Sequence, residues 1–123
     1  MKRHATALGV AVIVVAGALA VSAVAAPAHS SRAPATTKIR VSGGEFFFKL
    51  SARSAHRGTI TFVFKNVGHV GHDLKIAGKK TPIIQPGKTA TLVVKLTKPG
   101  KYPYSCTVPG HAQAGMRGVF KVT

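Results

Sequence analysis

Two stretches of the chain alternate between apolar and polar or smaller side chains with the two-residue period of a β-strand. In residues 59–65, one predicted face consists of Ile60, Phe62 and Phe64. In residues 89–96, the corresponding face consists of Ala90, Leu92, Val94 and Leu96. Because side chains two positions apart project from the same side of a strand, each stretch predicts a strand with one face against a core.

The same period predicts shorter strands elsewhere. Strands are expected at 38–41 and 45–50, on either side of a turn at Ser42-Gly43-Gly44, and residues 79–87 are expected to form a proline-containing connection. The other inward faces are predicted to be His72, Leu74 and Ile76; Tyr102, Tyr104 and Cys106; and Met116, Gly118, Phe120 and Val122. No segment has a helical period. Short strands separated by Gly and Pro turns favour an all-β sandwich or barrel.

Residues 1–28 have the pattern of a secretory signal peptide. Residues 2–4 are Lys-Arg-His, the run from Ala5 to Ala26 is almost wholly small and apolar, and small residues favour cleavage after Ala25 or Ala28. The alternative is an uncleaved membrane anchor, because the run approaches the roughly 20 residues that span a bilayer. We expect an exported protein, extracellular or in the periplasm or cell envelope, with membrane association if the segment is retained.

Residues 29–37 are mostly Ala, Pro, Ser and Thr, which predicts a flexible linker. Residues 38–123 then form a single domain, large enough for one core. Its single cysteine, Cys106, cannot form an internal disulfide. A free thiol in an oxidising compartment needs protection, and metal ligation would supply it.

Soft and borderline metal ligands are concentrated in one loop near the C-terminus. Cys106, His111 and Met116 follow one another at intervals of five residues, and Pro109-Gly110 favours a turn between them. Thiolate, imidazole and thioether groups suit copper. Each residue also has a purely structural interpretation: Cys106 as an inert buried thiol, Met116 as core packing, and His111 as a solvated loop residue.

A closed site needs a further imidazole from elsewhere in the chain. His72 is the best candidate, because it shares the predicted apolar face of its segment, whereas His69 lies three residues earlier in the same Gly-rich loop. His56 and His29 have no partners nearby in the sequence and are predicted to be exposed. Two histidines, one cysteine and a weakly bound methionine form the ligand set of blue copper sites.

From about Lys38 to its end, the chain resembles the cupredoxins, the small blue copper proteins. The resemblance rests on Asn66-x-Gly68-x-x-x-His72-Asp73, the Pro86-Gly87 turn, Pro99-Gly100-x-Tyr102-x-Tyr104-x-Cys106, Pro109-Gly110-His111 and Gly115-Met116-x-Gly118. It implies a Greek-key β-sandwich with one type 1 copper ion near one end. The implied metal ligands are His72, Cys106, His111 and Met116.

The resemblance also implies roles for residues around the metal. It predicts a hydrogen bond from Asp73 to the cysteine loop at Thr107, and it places the carbonyl of Gly71 close to the copper. It further implies that the ring edge of His111 faces solvent within a small uncharged docking patch. That patch would consist of Val108, Pro109, Ala112 and Ala114.

The chain is strongly basic, with 18 Lys and Arg residues, 2 Asp and Glu residues, and a formal net charge of +16. Without Lys2 and Arg3 the mature chain would carry about +14. Such a field favours encounters with an acidic redox partner protein or an anionic membrane surface. Nucleic acid is not an expected partner, because export separates the two and the phenylalanines occupy alternating core positions.

The sequence therefore predicts a secreted, monomeric type 1 copper protein that carries one electron at a time. We do not expect an enzyme, since too few histidines remain for additional copper sites. The alternative is a copper-sequestering or copper-delivery protein that uses the same ligands. A third possibility is a copper-free domain of the same fold that serves as a basic binding module.

Overall fold

The computed structural model describes residues 9–28 and 36–123, which belong to two separate units. Residues 9–28 have no regular secondary structure, and their large apolar side chains are 80% or more exposed. Among the described residues, no helix has the length and apolarity needed to cross a bilayer. The signal peptide over 1–28 stays a prediction, and residues 29–35 of the predicted linker lie outside the described residues.

Nine strands form residues 36–123, the described part of the second unit. They are β1 (Thr36–Gly44), β2 (Phe47–Leu50), β3 (Ser54–Ala55), β4 (Gly58–Asn66), β5 (Lys75–Ile76), β6 (Lys79–Lys80), β7 (Thr89–Leu96), β8 (Gly100–Ser105) and β9 (Arg117–Val122). One sheet has the order β2-β1-β4-β7 and the other β3-β9-β8-β5-β6. Strand β1 is parallel to β4, and β3 is parallel to β9. All other neighbouring pairs are antiparallel.

The side chains that alternate in the sequence form the core between the two sheets. In β4, Ile60, Phe62 and Phe64 are at most 1% exposed. The ring of Phe62 packs edge-on against that of Phe120 in β9, with 5.3 Å between the centroids, and so links the two sheets. The other buried residues of the predicted faces are His72, Leu74, Ile76, Leu92, Val94, Leu96, Tyr104, Cys106, Met116, Phe120 and Val122. The predicted all-β sandwich is confirmed.

The predicted turn at Ser42-Gly43-Gly44 is wrong, because β1 continues without interruption through Gly44. The reason is packing. A Cβ added at Gly43 would lie 2.6 Å from the ring of Phe64 and 3.0 Å from both Phe48 and the methyl group of Met116. Gly43 therefore leaves room for core side chains, and the chain reverses after it, between β1 and β2. Strand β1 also begins two residues earlier than the predicted domain, at Thr36.

Candidate metal centre

His72 lies in the connection between β4 and β5, and hydrogen bonds fix its backbone. The N–H of His72 donates to the carbonyl of Ile84 (3.1 Å), and the N–H of Ile84 donates back (2.7 Å). The buried amide of Asn66 donates to the carbonyls of Val70 (2.8 Å) and Ile84 (2.7 Å) and accepts from the N–H of Gly68 (2.8 Å). These bonds hold the loop so that His72 projects inward with none of its surface exposed, as predicted.

The other predicted ligands lie in the loop between β8 and β9, which its own backbone closes. The N–H of Cys106 donates to the carbonyl of Met116 (3.0 Å), and the N–H of Met116 donates to that of His111 (3.0 Å). Gly110, at φ +84°, adopts the left-handed conformation that the turn requires. The loop thus returns Met116 to Cys106, and both side chains are buried.

Three of the four predicted ligands bring their donor atoms together. The Nδ1 atom of His72 lies 3.1 Å from Nδ1 of His111, and Sγ of Cys106 lies 3.5 Å from the same His111 nitrogen. All three donor atoms lie within 4.8 Å of one another. With the buried thioether of Met116 at the end of the same loop, this donor set fits one type 1 copper ion.

Burial changes the chemistry of the thiol. Loss of solvation raises the pKa of Cys106 above its ordinary value, and hydrogen bonds to the sulfur offset this only in part. Copper binds the thiolate form, so the ion must displace the Cys106 proton when it binds. Copper uptake is therefore coupled to proton release and is favoured by higher pH.

The predicted contact between Asp73 and Thr107 is confirmed. Asp73 is 1% exposed. One of its carboxylate oxygens accepts from the N–H of Thr107 (2.6 Å), and the other accepts from the Thr107 hydroxyl. Because Asp73 follows His72 and Thr107 follows Cys106, this contact joins the two ligand-bearing segments directly. Contacts of this kind orient metal ligands and tune the metal.

We expect Asp73→Asn to destabilise the copper-free protein. Asparagine is neutral and has one acceptor oxygen, so the bonds from the N–H and the hydroxyl of Thr107 can no longer both be accepted by a charged group. Hydrogen bonds to charged groups contribute roughly 1.5–3 kcal/mol, and urea denaturation should show a decrease in the free energy of unfolding within that range. Thr107→Val removes the hydroxyl from the other side of the same contact and leaves a carboxylate oxygen of buried Asp73 without its donor, so a loss of similar size is expected. An unchanged denaturation midpoint in Asp73→Asn would contradict this role.

Glu45, which the sequence analysis did not place at the site, contacts a predicted metal ligand. Its Oε1 atom lies 3.0 Å from Nε2 of His72 and accepts from the N–H groups of His69 (2.8 Å) and Val70 (3.0 Å). These bonds, with that from His72 the strongest, lower the pKa of Glu45 from 4.5 to about 2. Since the folded-state pKa is lowered, the carboxylate stabilises the fold above pH 4.5, and this contribution is lost as the pH falls through about 2.

The other described histidines do not supply ligand atoms to this cluster. The side chain of His69 is 97% exposed, and its Nδ1 atom lies 3.5 Å from Oε2 of Glu45. His56 is exposed and lies 3.0 Å from the hydroxyl of Thr123. The predicted exposure of His56 and the surface position implied for His69 are confirmed, and His29 lies outside the described residues.

The half-buried ring of His111 lies within an apolar surface, as the resemblance implies. A cavity of about 530 Å³ borders the ring, and Gly71 contributes to its wall. The ring of Phe46, which is 41% exposed, lies 4.9 Å from that of His111 between centroids. We define the His111 surface as His111 and its apolar neighbours Phe46, Val70, Ile83, Val108 and Pro109; the uncharged side chains of Gln85 and Thr107 also line the cavity. Of the predicted docking patch, Val108 and Pro109 line this cavity, whereas Ala112 and Ala114 do not. No local motif in the sequence marks Phe46, Val70 or Ile83.

Comparisons with known proteins agree with this geometry. Residues 11–119 match a family model described as a cupredoxin-like domain. The chain is 26% identical, over 159 aligned positions, to the copper-resistant cuproprotein CopI of Pseudomonas aeruginosa, and the alignment covers 82% of this chain and 88% of that protein.

Two solved structures share the fold. The first is reduced auracyanin from Roseiflexus castenholzii, with a TM-score of 0.61 and 23% identity over 71% of this chain and 97% of that one. The second is rusticyanin from Thiobacillus ferrooxidans, with a TM-score of 0.61 and 21% identity over 72% of this chain and 77% of that one. Because the family model spans most of the chain, this protein belongs to the cupredoxin-like family.

Proposed function

We propose that this protein is an exported type 1 copper protein that carries one electron at a time. The proposal rests on the convergence of His72, Cys106 and His111, whose donor atoms lie within 4.8 Å of one another. Bound copper would supply the exchange of a single electron between Cu(I) and Cu(II). The hydrogen bonds made by Asn66 and Asp73 hold the ligand-bearing segments, so little rearrangement is needed between the two states.

His111 is the ligand through which we expect electrons to pass. The side chains of His72, Cys106 and Met116 are buried, whereas that of His111 is only partly buried. The His111 surface around it carries no charged side chain. An uncharged, apolar surface can be desolvated at low cost, which lets a partner approach the ring closely.

We propose an acidic redox protein or an anionic membrane surface as the partner. The only acidic residues, Glu45 and Asp73, are both engaged at the site, so the lysines on the sheet faces have no acidic neighbours. Lys101 pairs directly with Lys121, and like charges in this arrangement destabilise a sheet. An anionic partner would relieve that repulsion, and its binding should weaken as the salt concentration rises.

Export is part of the proposal. The basic residues 2–4 and the apolar run up to Ala26 support a signal peptide. We expect the mature chain to work as a monomer in the periplasm, in the cell envelope or outside the cell.

The copper site can be tested with the purified protein and one equivalent of Cu(II). We expect an intense blue absorption and a narrow copper hyperfine splitting in the electron paramagnetic resonance spectrum. In a mixture of the Cu(I) and Cu(II) forms, rapid electron exchange should broaden the NMR signals of residues near the site. His111→Ala should lose the blue spectrum, whereas the matched variant His56→Ala should retain it. A colourless wild-type protein would refute the proposal.

Copper sequestration or delivery is the second candidate, and the similarity to CopI, which is named as a copper-resistant cuproprotein, favours it. The two functions differ in how firmly Cu(I) is held. A carrier should retain Cu(I) when challenged with an equimolar Cu(I) chelator and should exchange electrons quickly. A delivery protein should surrender its Cu(I) to the chelator.

A further inference from the structure

One carboxylate oxygen collects three hydrogen-bond donors beside the metal site. Oε1 of Glu45 lies 2.8 Å from the backbone nitrogen of His69, 3.0 Å from that of Val70, and 3.0 Å from Nε2 of His72. The two backbone bonds hold the carboxylate on the loop that precedes His72. The third bond reaches the imidazole on the side opposite its metal-facing nitrogen.

The contact determines which nitrogen of His72 carries the proton. An ionised carboxylate only accepts hydrogen bonds, so Nε2 must be the protonated nitrogen that donates to Glu45. The N–H groups of His69 and Val70 can only donate, and both donate to Oε1, so this oxygen is an acceptor. In the neutral imidazole, which is the form that binds a metal, Nδ1 then keeps its lone pair, and this is the atom that lies 3.1 Å from Nδ1 of His111.

The absence of a side chain at Gly68 leaves room for the contact between Glu45 and the loop that precedes His72. A Cβ added at Gly68 would lie 2.4 Å from Oε1 of Glu45, so only glycine lets the carboxylate approach the loop this closely. The chain has only two acidic residues, and both contact residues of the metal site. One of the only two acidic side chains in this basic protein is thus held by three hydrogen-bond donors, one of which is the predicted ligand His72.

We infer that Glu45 is a positioning residue that fixes the tautomer of His72 and increases the electron donation of Nδ1, so that Cu(II) is stabilised relative to Cu(I). A carboxylate that accepts a hydrogen bond from a metal-ligating histidine orients the ring and raises its basicity. A more basic Nδ1 on His72, together with the negative charge of Glu45 nearby, stabilises Cu(II) more than Cu(I), because Cu(II) carries the higher charge. The tautomer follows from geometry alone, whereas the effect on copper rests on the proposed function.

Glu45→Gln tests the effect on copper, because it keeps the shape of the side chain and removes its charge. We expect a blue protein whose reduction potential is raised. Loss of a residue that hydrogen-bonds a metal ligand typically weakens metal affinity by about 10–100-fold. If Cu(II) affinity falls tenfold more than Cu(I) affinity, the potential rises by about 59 mV. Thr91→Lys, at an exposed position on β7, makes the same change in net charge and should leave the potential unchanged.

The tautomer can be measured without copper. In the ¹⁵N NMR spectrum of the copper-free protein, His72 should show a protonated Nε2 and an unprotonated Nδ1. Glu45→Ala should give a mixture of the two tautomers, and Gly68→Ala should do the same, because it displaces the carboxylate. His56 serves as the internal reference and should not change in either variant.

The outcomes separate the two proposals. A wild-type protein that forms no blue site, yet shows the expected His72 tautomer, would refute the electron-carrier function and support the positioning role. A blue wild-type protein whose potential is unchanged in Glu45→Gln would overturn the effect of Glu45 on copper. An unchanged tautomer in both Glu45→Ala and Gly68→Ala would overturn its role in positioning His72.

Discussion

The Cys106→Ser protein is expected to remain colourless when copper is added, because the intense blue absorption of a type 1 site depends on the bond between copper and the cysteine sulfur. Cys106 is the only cysteine in the chain, so no other thiolate can replace it. A serine hydroxyl stays protonated at neutral pH and is a poor copper ligand. The loss of Cu(II) affinity should therefore exceed the roughly 10–100-fold that follows loss of a residue that only hydrogen-bonds a ligand.

The fold of Cys106→Ser should persist. Serine is slightly smaller than cysteine, and the backbone N–H at this position can still donate to the carbonyl of Met116. Circular dichroism would establish that the variant is folded, and titration with Cu(II) would measure its affinity. Ser105→Ala, at the half-buried preceding position, is the matched control and should keep the blue spectrum. A blue band of wild-type intensity in Cys106→Ser would exclude Cys106 as the sulfur ligand.

The sequence predicts the core well, because a strand with one buried face leaves a direct period in the chain. Ile60, Phe62 and Phe64 alternate with less buried residues, and the structure buries all three. The ligand loop can also be predicted from the sequence, because Cys106, His111 and Met116 lie close together along the chain. His72 lies far from this loop along the chain but is marked by its place on a predicted apolar face, whereas only the family resemblance connects Asp73 with Thr107.

Gly43 and Glu45 show where sequence patterns stop being informative. A glycine can mark a turn or a place where other side chains need space, and nothing local to Gly43 distinguishes the two. Glu45 precedes His72 by 27 residues. Its contact depends on the chain reversal between β1 and β2, which the sequence pattern places at residues 42–44 and the structure places after Gly44. Once β1 is known to run through Gly44, the position of Glu45 beside the loop of Gly68 follows from the register of β1 against β4.

Phe62→Ala is expected to destabilise the fold strongly. Phe62 is 1% exposed and links the two sheets through Phe120. Truncating a buried phenylalanine to alanine typically costs about 3–5 kcal/mol, because it removes apolar contacts and leaves a cavity. Domains of this size are stable by about 5–15 kcal/mol, so the copper-free variant should lose a large fraction of its stability.

Thermal denaturation followed by circular dichroism would measure the effect. A loss of 1 kcal/mol lowers the melting temperature of such a domain by roughly 4–8 °C, so Phe62→Ala should melt at least about 12 °C below wild type. Phe47→Ala is the matched control, because Phe47 is 44% exposed and should lose much less stability. Copper that binds the folded state alone stabilises it by about 2.7 kcal/mol at 100 times the dissociation constant, which is the largest recovery expected for Phe62→Ala. Equal melting temperatures for the two phenylalanine variants would show that the Phe62–Phe120 contact does not join the sheets energetically.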